Sequence, residues 1–113
     1  MSYDIYLKHP ETGEVAQPSI PSLHYGGTHK EGVEFEAVLN VTFNYTPLFN
    51  FYDRLDGKTG EETFVDLKVR VMELGTHPDE DYWKCTEGNV GRACALLMCW
   101  ADEFPDYVWT VHK

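Results

Sequence analysis

The most constraining stretch of this chain is residues 34–45, Glu-Phe-Glu-Ala-Val-Leu-Asn-Val-Thr-Phe-Asn-Tyr. From Leu39 it alternates: Leu39, Val41, Phe43 and Tyr45 fall on one side of an extended backbone, and Asn40, Thr42 and Asn44 on the other. Period two, carried by β-branched and aromatic residues, is the pattern of a strand with one buried face. It is the longest such pattern in the sequence. The expectation is that it forms the centre of a small sheet, closed by Pro47.

Two further segments alternate. Residues 3–8 set Tyr3, Ile5 and Leu7 against Asp4, Tyr6 and Lys8; residues 107–112 set Tyr107, Trp109 and Val111 against Val108, Thr110 and His112. Both read as strands. Pro10-Glu11-Thr12-Gly13 is turn chemistry, with a short return expected over residues 14–17. Pro18 and Pro21 each lack a backbone donor, which keeps residues 18–22 out of a sheet. Residues 24–32, with Gly26, Gly27 and Gly32, read as a loop. Residues 48–55 are expected to make a short helical turn over a sheet edge, followed by a turn at Asp56-Gly57-Lys58.

Residues 61–74 fit two periods. Val65, Leu67, Val69 and Val71 alternate as a strand would, while Phe64, Leu67, Val71 and Leu74 follow helical spacing. The flanks favour the helix. Thr59-x-x-Glu62 has capping-box form, Glu61 and Glu62 suit a helix N-terminus, and Gly75 suits the position after the last turn. A linker over residues 76–84 carries Asp79, Glu80 and Asp81. Thr86 then caps a second helix with the stripe Val90, Ala93, Cys94, Leu97, Trp100, Ala101 and Phe104, stopped by Pro105. The fold class expected is α+β: a small, mostly antiparallel sheet with two α-helices packed on one face.

With 113 residues, one domain spanning 1–113 is expected. The 19 acidic residues outnumber the 9 basic ones, for a formal charge of -10. Such a field disfavours nucleic acid and anionic membranes, whose binding depends on Lys and Arg, and favours basic partners; acidity also keeps a small protein in solution. Cys85, Cys94 and Cys99 make neither a disulfide framework nor a zinc knuckle. The opening Met-Ser-Tyr-Asp has no basic n-region or apolar h-region, and no run approaches a membrane span. A soluble protein in a reducing cytosol is expected. Asn40-Val-Thr42 and Asn44-Tyr-Thr46 then match the glycosylation sequon by chance.

Several stretches together resemble a family of small uncharacterised proteins of tailed bacteriophages and prophages. They are the opening Met-Ser-Tyr-Asp-Ile-Tyr-Leu with Thr12-Gly13-Glu14, the Gly26-Gly27-Thr28 loop, the strand from Glu36 to Tyr45, and Asp81-Tyr82-Trp83 followed by Thr86-Glu87-Gly88-Asn89. The resemblance implies viral origin and action in the cytoplasm of an infected bacterial host. It implies no established activity, and Cys94, Cys99 and Trp100 lie outside the shared pattern.

The chemistry-bearing residues form no catalytic set in the sequence. His24, His29, His77 and Cys85 lack metal-ligand spacing. Cys94 and Cys99, five apart on a helix, point in different directions, and Cys94 on the apolar stripe reads as a small hydrophobe; His112 is the one base considered for it. Gly26-Gly27-Thr28-His29-Lys30 lacks the phosphate-loop spacing. Asn40, Thr42 and Asn44 form a polar ladder that serves either a structural hydrogen-bond network or a docking face. Carboxylates gather at Glu61, Glu62 and Asp66, at Asp79, Glu80, Asp81 and Glu87, and at Asp102, Glu103 and Asp106. The last three sit at a helix C-terminus, where the dipole disfavours negative charge.

The expected function is therefore non-enzymatic: a phage-encoded binding protein, without cofactor or metal, that turns an acidic surface toward a basic host protein. Inhibition of a defence nuclease such as a CRISPR effector is one such role. Asp79, Glu80, Asp81, Asp102, Glu103 and Asp106 are the candidate contacts, with Asn40, Thr42 and Asn44 beside them. The alternatives are a virion or assembly accessory protein, and a small enzyme using His24, His29 or a cysteine.

Overall fold

The computed structural model describes residues 2–20 and 37–113. In chain order it contains β1 (Ser2–Lys8), β2 (Leu39–Thr42), one 3-10 turn (Phe43–Tyr45), α1 (Phe51–Leu55), α2 (Gly60–Leu74), α3 (Glu87–Glu103) and β3 (Val108–His112). The sheet order is β2-β1-β3, antiparallel throughout. Its register puts Tyr3 opposite Val41, Ile5 opposite both Leu39 and Val111, and Leu7 opposite Trp109. All seven side chains are buried on one face. Each contributes about 1.5–3 kcal/mol by leaving water. The fold class is α+β, as the periodicities implied.

The strand expected at the centre lies instead at one end of the three-strand order. β1 is the middle strand, because its seven alternating residues are long enough to serve a partner on each side. β2 keeps only Leu39–Thr42. The Thr42 side chain accepts the Asn44 amide and draws the chain into the 3-10 turn, so Tyr45 reaches the core by a turn rather than by strand alternation. Residues 34–36, the glycine loop, His24 and His29 lie outside the described residues.

β3 has its second side occupied by residues 56–60. Trp109 donates its amide to the Lys58 carbonyl, Gly57 and Gly60 donate to Trp109 and Tyr107, and the Asp56 carboxylate accepts the Val111 amide. Gly57 takes φ 80°, which lets the chain turn from α1 into this segment. A sheet edge covered in this way offers no free ladder to another chain. The expected return at residues 14–17 reduces to one bridge, Lys8 to Val15, with the Ala16 amide on the Leu7 carbonyl.

The ambiguous segment is helical. Leu67 is fully buried while Val65 and Val69 are 66% and 42% exposed, a split that one face of a strand does not permit. The capping box closes both ways, Glu62 N to Thr59 Oγ1 at 3.1 Å and Thr59 N to Glu62 Oε1 at 3.0 Å. Accepting the Thr59 hydrogen bonds holds the Glu62 carboxyl below its usual range. Thr86 caps α3 through the Asn89 amide. α2 and α3 run antiparallel in close contact. A Cβ on Gly60 would stand 2.7 Å from the Phe104 carbonyl, and one on Gly91 would stand 1.8 Å from the Gly75 carbonyl. Leu67 of α2 and Val90, Ala93, Cys94, Leu97, Trp100 and Ala101 of α3 join the sheet residues in one core. Trp109 fills it and donates its indole N–H to Thr63 Oγ1 at 2.7 Å. Among the described residues no helix is long and apolar enough to cross a membrane.

Candidate functional site

The nine residues singled out in the sequence do not form one surface. Asp79, Glu80 and Asp81 precede α3, whereas Asp102, Glu103 and Asp106 lie at its far end. A 17-residue helix separates the two groups by about 24 Å. Several of these carboxylates already have work within the chain. Asp79 accepts the Asp81 amide at 2.9 Å, Asp81 accepts the Trp83 amide at 3.0 Å, and Asp79 faces the Lys84 ammonium at 3.9 Å. Glu103 clasps Ser19, taking its amide at 2.8 Å and its hydroxyl at 2.6 Å. Glu80, Asp102 and Asp106 are exposed and make no ion pair or hydrogen bond among the described residues.

The polar ladder is also divided. Asn40 donates to Ser2 Oγ at 2.8 Å and to Asp4 Oδ1 at 2.7 Å across β1. Thr42 is buried and caps the 3-10 turn. Asn44 leaves the sheet and donates its side-chain amide to the Trp83 carbonyl at 2.9 Å. It thereby joins one of the carboxylate groups, the segment 79–85.

That segment is built from the first turn of α3 outward. Buried Asn89 accepts the Asp79 amide at 2.9 Å and donates to the carbonyls of Asp81 and Lys84 at 3.2 and 3.0 Å. From the opposite side the Tyr45 hydroxyl donates to the Tyr82 carbonyl. Burial, then the nearby Cys85 and Asp81, pushes the Tyr45 phenol up to about 12, so it stays protonated and keeps donating. Gly88 lets the His77 carbonyl come within 1.7 Å of where a Cβ would be, which seats the start of the loop on the helix.

The product is a fixed loop that presents two aromatic rings. Tyr82 and Trp83 are 41% and 43% exposed, with ring centres 5.7 Å apart. Between this loop and the 3-10 turn lies an open groove of about 680 Å³. Phe43, Asn44 and Pro47 form one wall; Asp81, Trp83, Lys84 and Cys85 form the other. Rings, an amide and a carboxylate in one recess suit binding of a polar, partly apolar group.

Among the described residues the sulfur and imidazole groups are dispersed. Among the described residues no three His, Cys, Asp or Glu side chains are placed to hold a metal ion. Cys94 is fully buried, and burial pushes its thiol up to about 12. His112, the base considered for it, bonds the Tyr6 hydroxyl at 3.0 Å on the opposite face of the sheet.

Sequence reasoning missed Tyr82, Trp83, Phe43 and Asn89 as parts of a site. The available signal was two adjacent large aromatics inside an acidic linker, with an aspartate before them and an asparagine in the first helical turn after them. Comparison with protein-family models, with curated proteins and with solved structures gives no match.

Proposed function

We propose that this chain is a non-enzymatic binding protein, encoded by a tailed phage, that engages a basic host protein in the bacterial cytoplasm through the loop 79–85 and its groove. One observation carries the reading: Tyr45 and Asn44 donate to the carbonyls of Tyr82 and Trp83, and Asn89 donates to those of the flanking Asp81 and Lys84, yet Tyr82 and Trp83 leave over two-fifths of their surface in water. Ordering a loop costs about 1–2 kcal/mol per residue. A loop ordered before its partner arrives avoids that cost on binding, and half-exposed aromatics are the usual anchors of an interface. Charge supports a basic partner. Of 19 acidic residues, Asp66, Glu73 and Asp79 pair with a cation among the described residues. Phage origin and site of action rest on the resemblance in residues 1–7, 12–14, 26–28, 36–45, 81–83 and 86–89. Inhibition of a defence nuclease is the form of host binding that this charge suits best.

The test compares capture from bacterial lysate by the wild-type chain and by Tyr82→Ala/Trp83→Ala. The expected result is a basic protein retained by the wild type, released as salt is raised, and lost in the double variant. Equal capture by a folded double variant would remove the loop from the mechanism.

A further inference from the structure

We propose that the groove receives an arginine side chain of the partner protein, its guanidinium against the Trp83 and Phe43 rings and paired with the Asp81 carboxylate. This deepens the binding reading above and depends on it. The groove combines two aromatic faces, the Pro47 ring, the Asn44 amide and one carboxylate. Asp81 spends Oδ1 on the Trp83 amide, and Oδ2 has no hydrogen bond among the described residues. A guanidinium matches that set. It is flat, weakly hydrated, stacks on aromatic faces and bonds carboxylates through paired N–H groups.

Other occupants fit less well. An anion would meet Asp81 with Asp79 and Glu80 next to it in the chain, and the one cation among the described residues lining the groove, Lys84, already faces Asp79. A purely apolar side chain would desolvate the Asp81 carboxylate without giving it a partner. A second copy of this chain has no free arginine to offer. Arg54 pairs with Asp66 and Arg70 with Glu73, Arg92 is engaged as well, and two copies at -10 repel. The arginine must come from a different protein.

The experiment titrates the nitrogen-15-labelled chain with N-acetyl-arginine methylamide, the lysine analogue, and the uncharged citrulline analogue of the same shape. The expected result is saturable movement of the Trp83 indole and of the amides of Asn44, Asp81 and Lys84 by the arginine probe, weaker by about fivefold with lysine and absent with citrulline. Trp83→Ala should abolish the response. Asp81→Asn keeps Oδ1 for the Trp83 amide and removes only the charge, and it should weaken arginine binding by about tenfold while the spectrum elsewhere stays unchanged. An equal response to citrulline, an arginine response no stronger at the groove than at Asp102 and Asp106, or an unchanged Asp81→Asn would each overturn the inference. If the arginine probe fails while lysate capture is still lost in Tyr82→Ala/Trp83→Ala, the inference falls and the binding reading stands.

Discussion

The side chain of Asn89 accepts the amide hydrogen of Asp79, ten residues earlier, at 2.9 Å, so the first turn of α3 holds the loop that precedes it. Asn89→Ala removes this bond together with those to Asp81 and Lys84. The part-buried Asp79 amide then loses its partner, and the carbonyls of Asp81 and Lys84 each keep only their backbone bond, so a loss of about 1–3 kcal/mol is expected in urea unfolding. Tyr82 and Trp83 should become more accessible to fluorescence quenchers. A variant as stable as the wild type, with unaltered quenching, would show that the loop is held by something else.

The glycines separate close packing from backbone conformation. At Gly91 an added methyl meets the Gly75 carbonyl at 1.8 Å, so α2 and α3 must part, and Gly91→Ala should cost at least about 3 kcal/mol. Gly13 has φ 76° and nothing within 4 Å of its missing Cβ. Gly13→Ala should cost only about 1 kcal/mol, the strain of a left-handed alanine. Thermal melts of both variants check the order, and the reverse order contradicts the close approach of α2 and α3 at Gly91.

Along α2, Leu67→Ala should cost about 3 kcal/mol, whereas Val65→Ala should stay within about 0.5 kcal/mol. The two residues differ by one strand repeat but face opposite ways on the helix, one fully buried and the other 66% exposed. Similar losses at both would point to the strand period instead.

Alkaline pH should destabilise the fold. Tyr45 and Cys94 are neutral when folded, with both groups pushed up to about 12 from ordinary values of 10.0 and 9.0. Because the folded values lie above the unfolded ones, the unfolded chain releases protons first. Stability is therefore whole below pH 9 and falls as pH rises from 9 through 12. Urea midpoints across that window should decline, and Tyr45→Phe should flatten the upper part of the decline. In the native protein at neutral pH, Cys85 and Cys99 should react with a disulfide reagent while Cys94 waits for unfolding.

Much of the fold was readable because local signals agreed. Residues 3–8 and 107–112 alternate cleanly, and Ser2–Lys8 and Val108–His112 are strands; Thr59, Glu62 and Gly75 decided for a helix where the apolar pattern allowed two answers. The error over residues 39–45 has a local cause as well. Alternation in a sequence does not reveal where a threonine hydroxyl will turn the chain, and it carries no information on which strand has two neighbours. The site was less legible. Asp79 and Asp81 look like free surface charge in the sequence, but each caps a backbone amide of its own loop, and Asn44 meets Trp83 across 39 residues of chain. Such contacts exist only after folding.

The place of β1 between β2 and β3 governs how the molecule can be made. Tyr6 and His112, diagonal neighbours on β1 and β3, share a hydrogen bond from positions 106 residues apart. On the ribosome the middle strand, Ser2–Lys8, is synthesised long before its second neighbour, Val108–His112, emerges. So wide a separation slows closure of the sheet. Until Trp109 and Val111 arrive, Ile5 and Leu7 have no apolar neighbours on that side and the backbone of β1 is an open edge, so nascent chains on one polysome can pair with each other before they finish themselves.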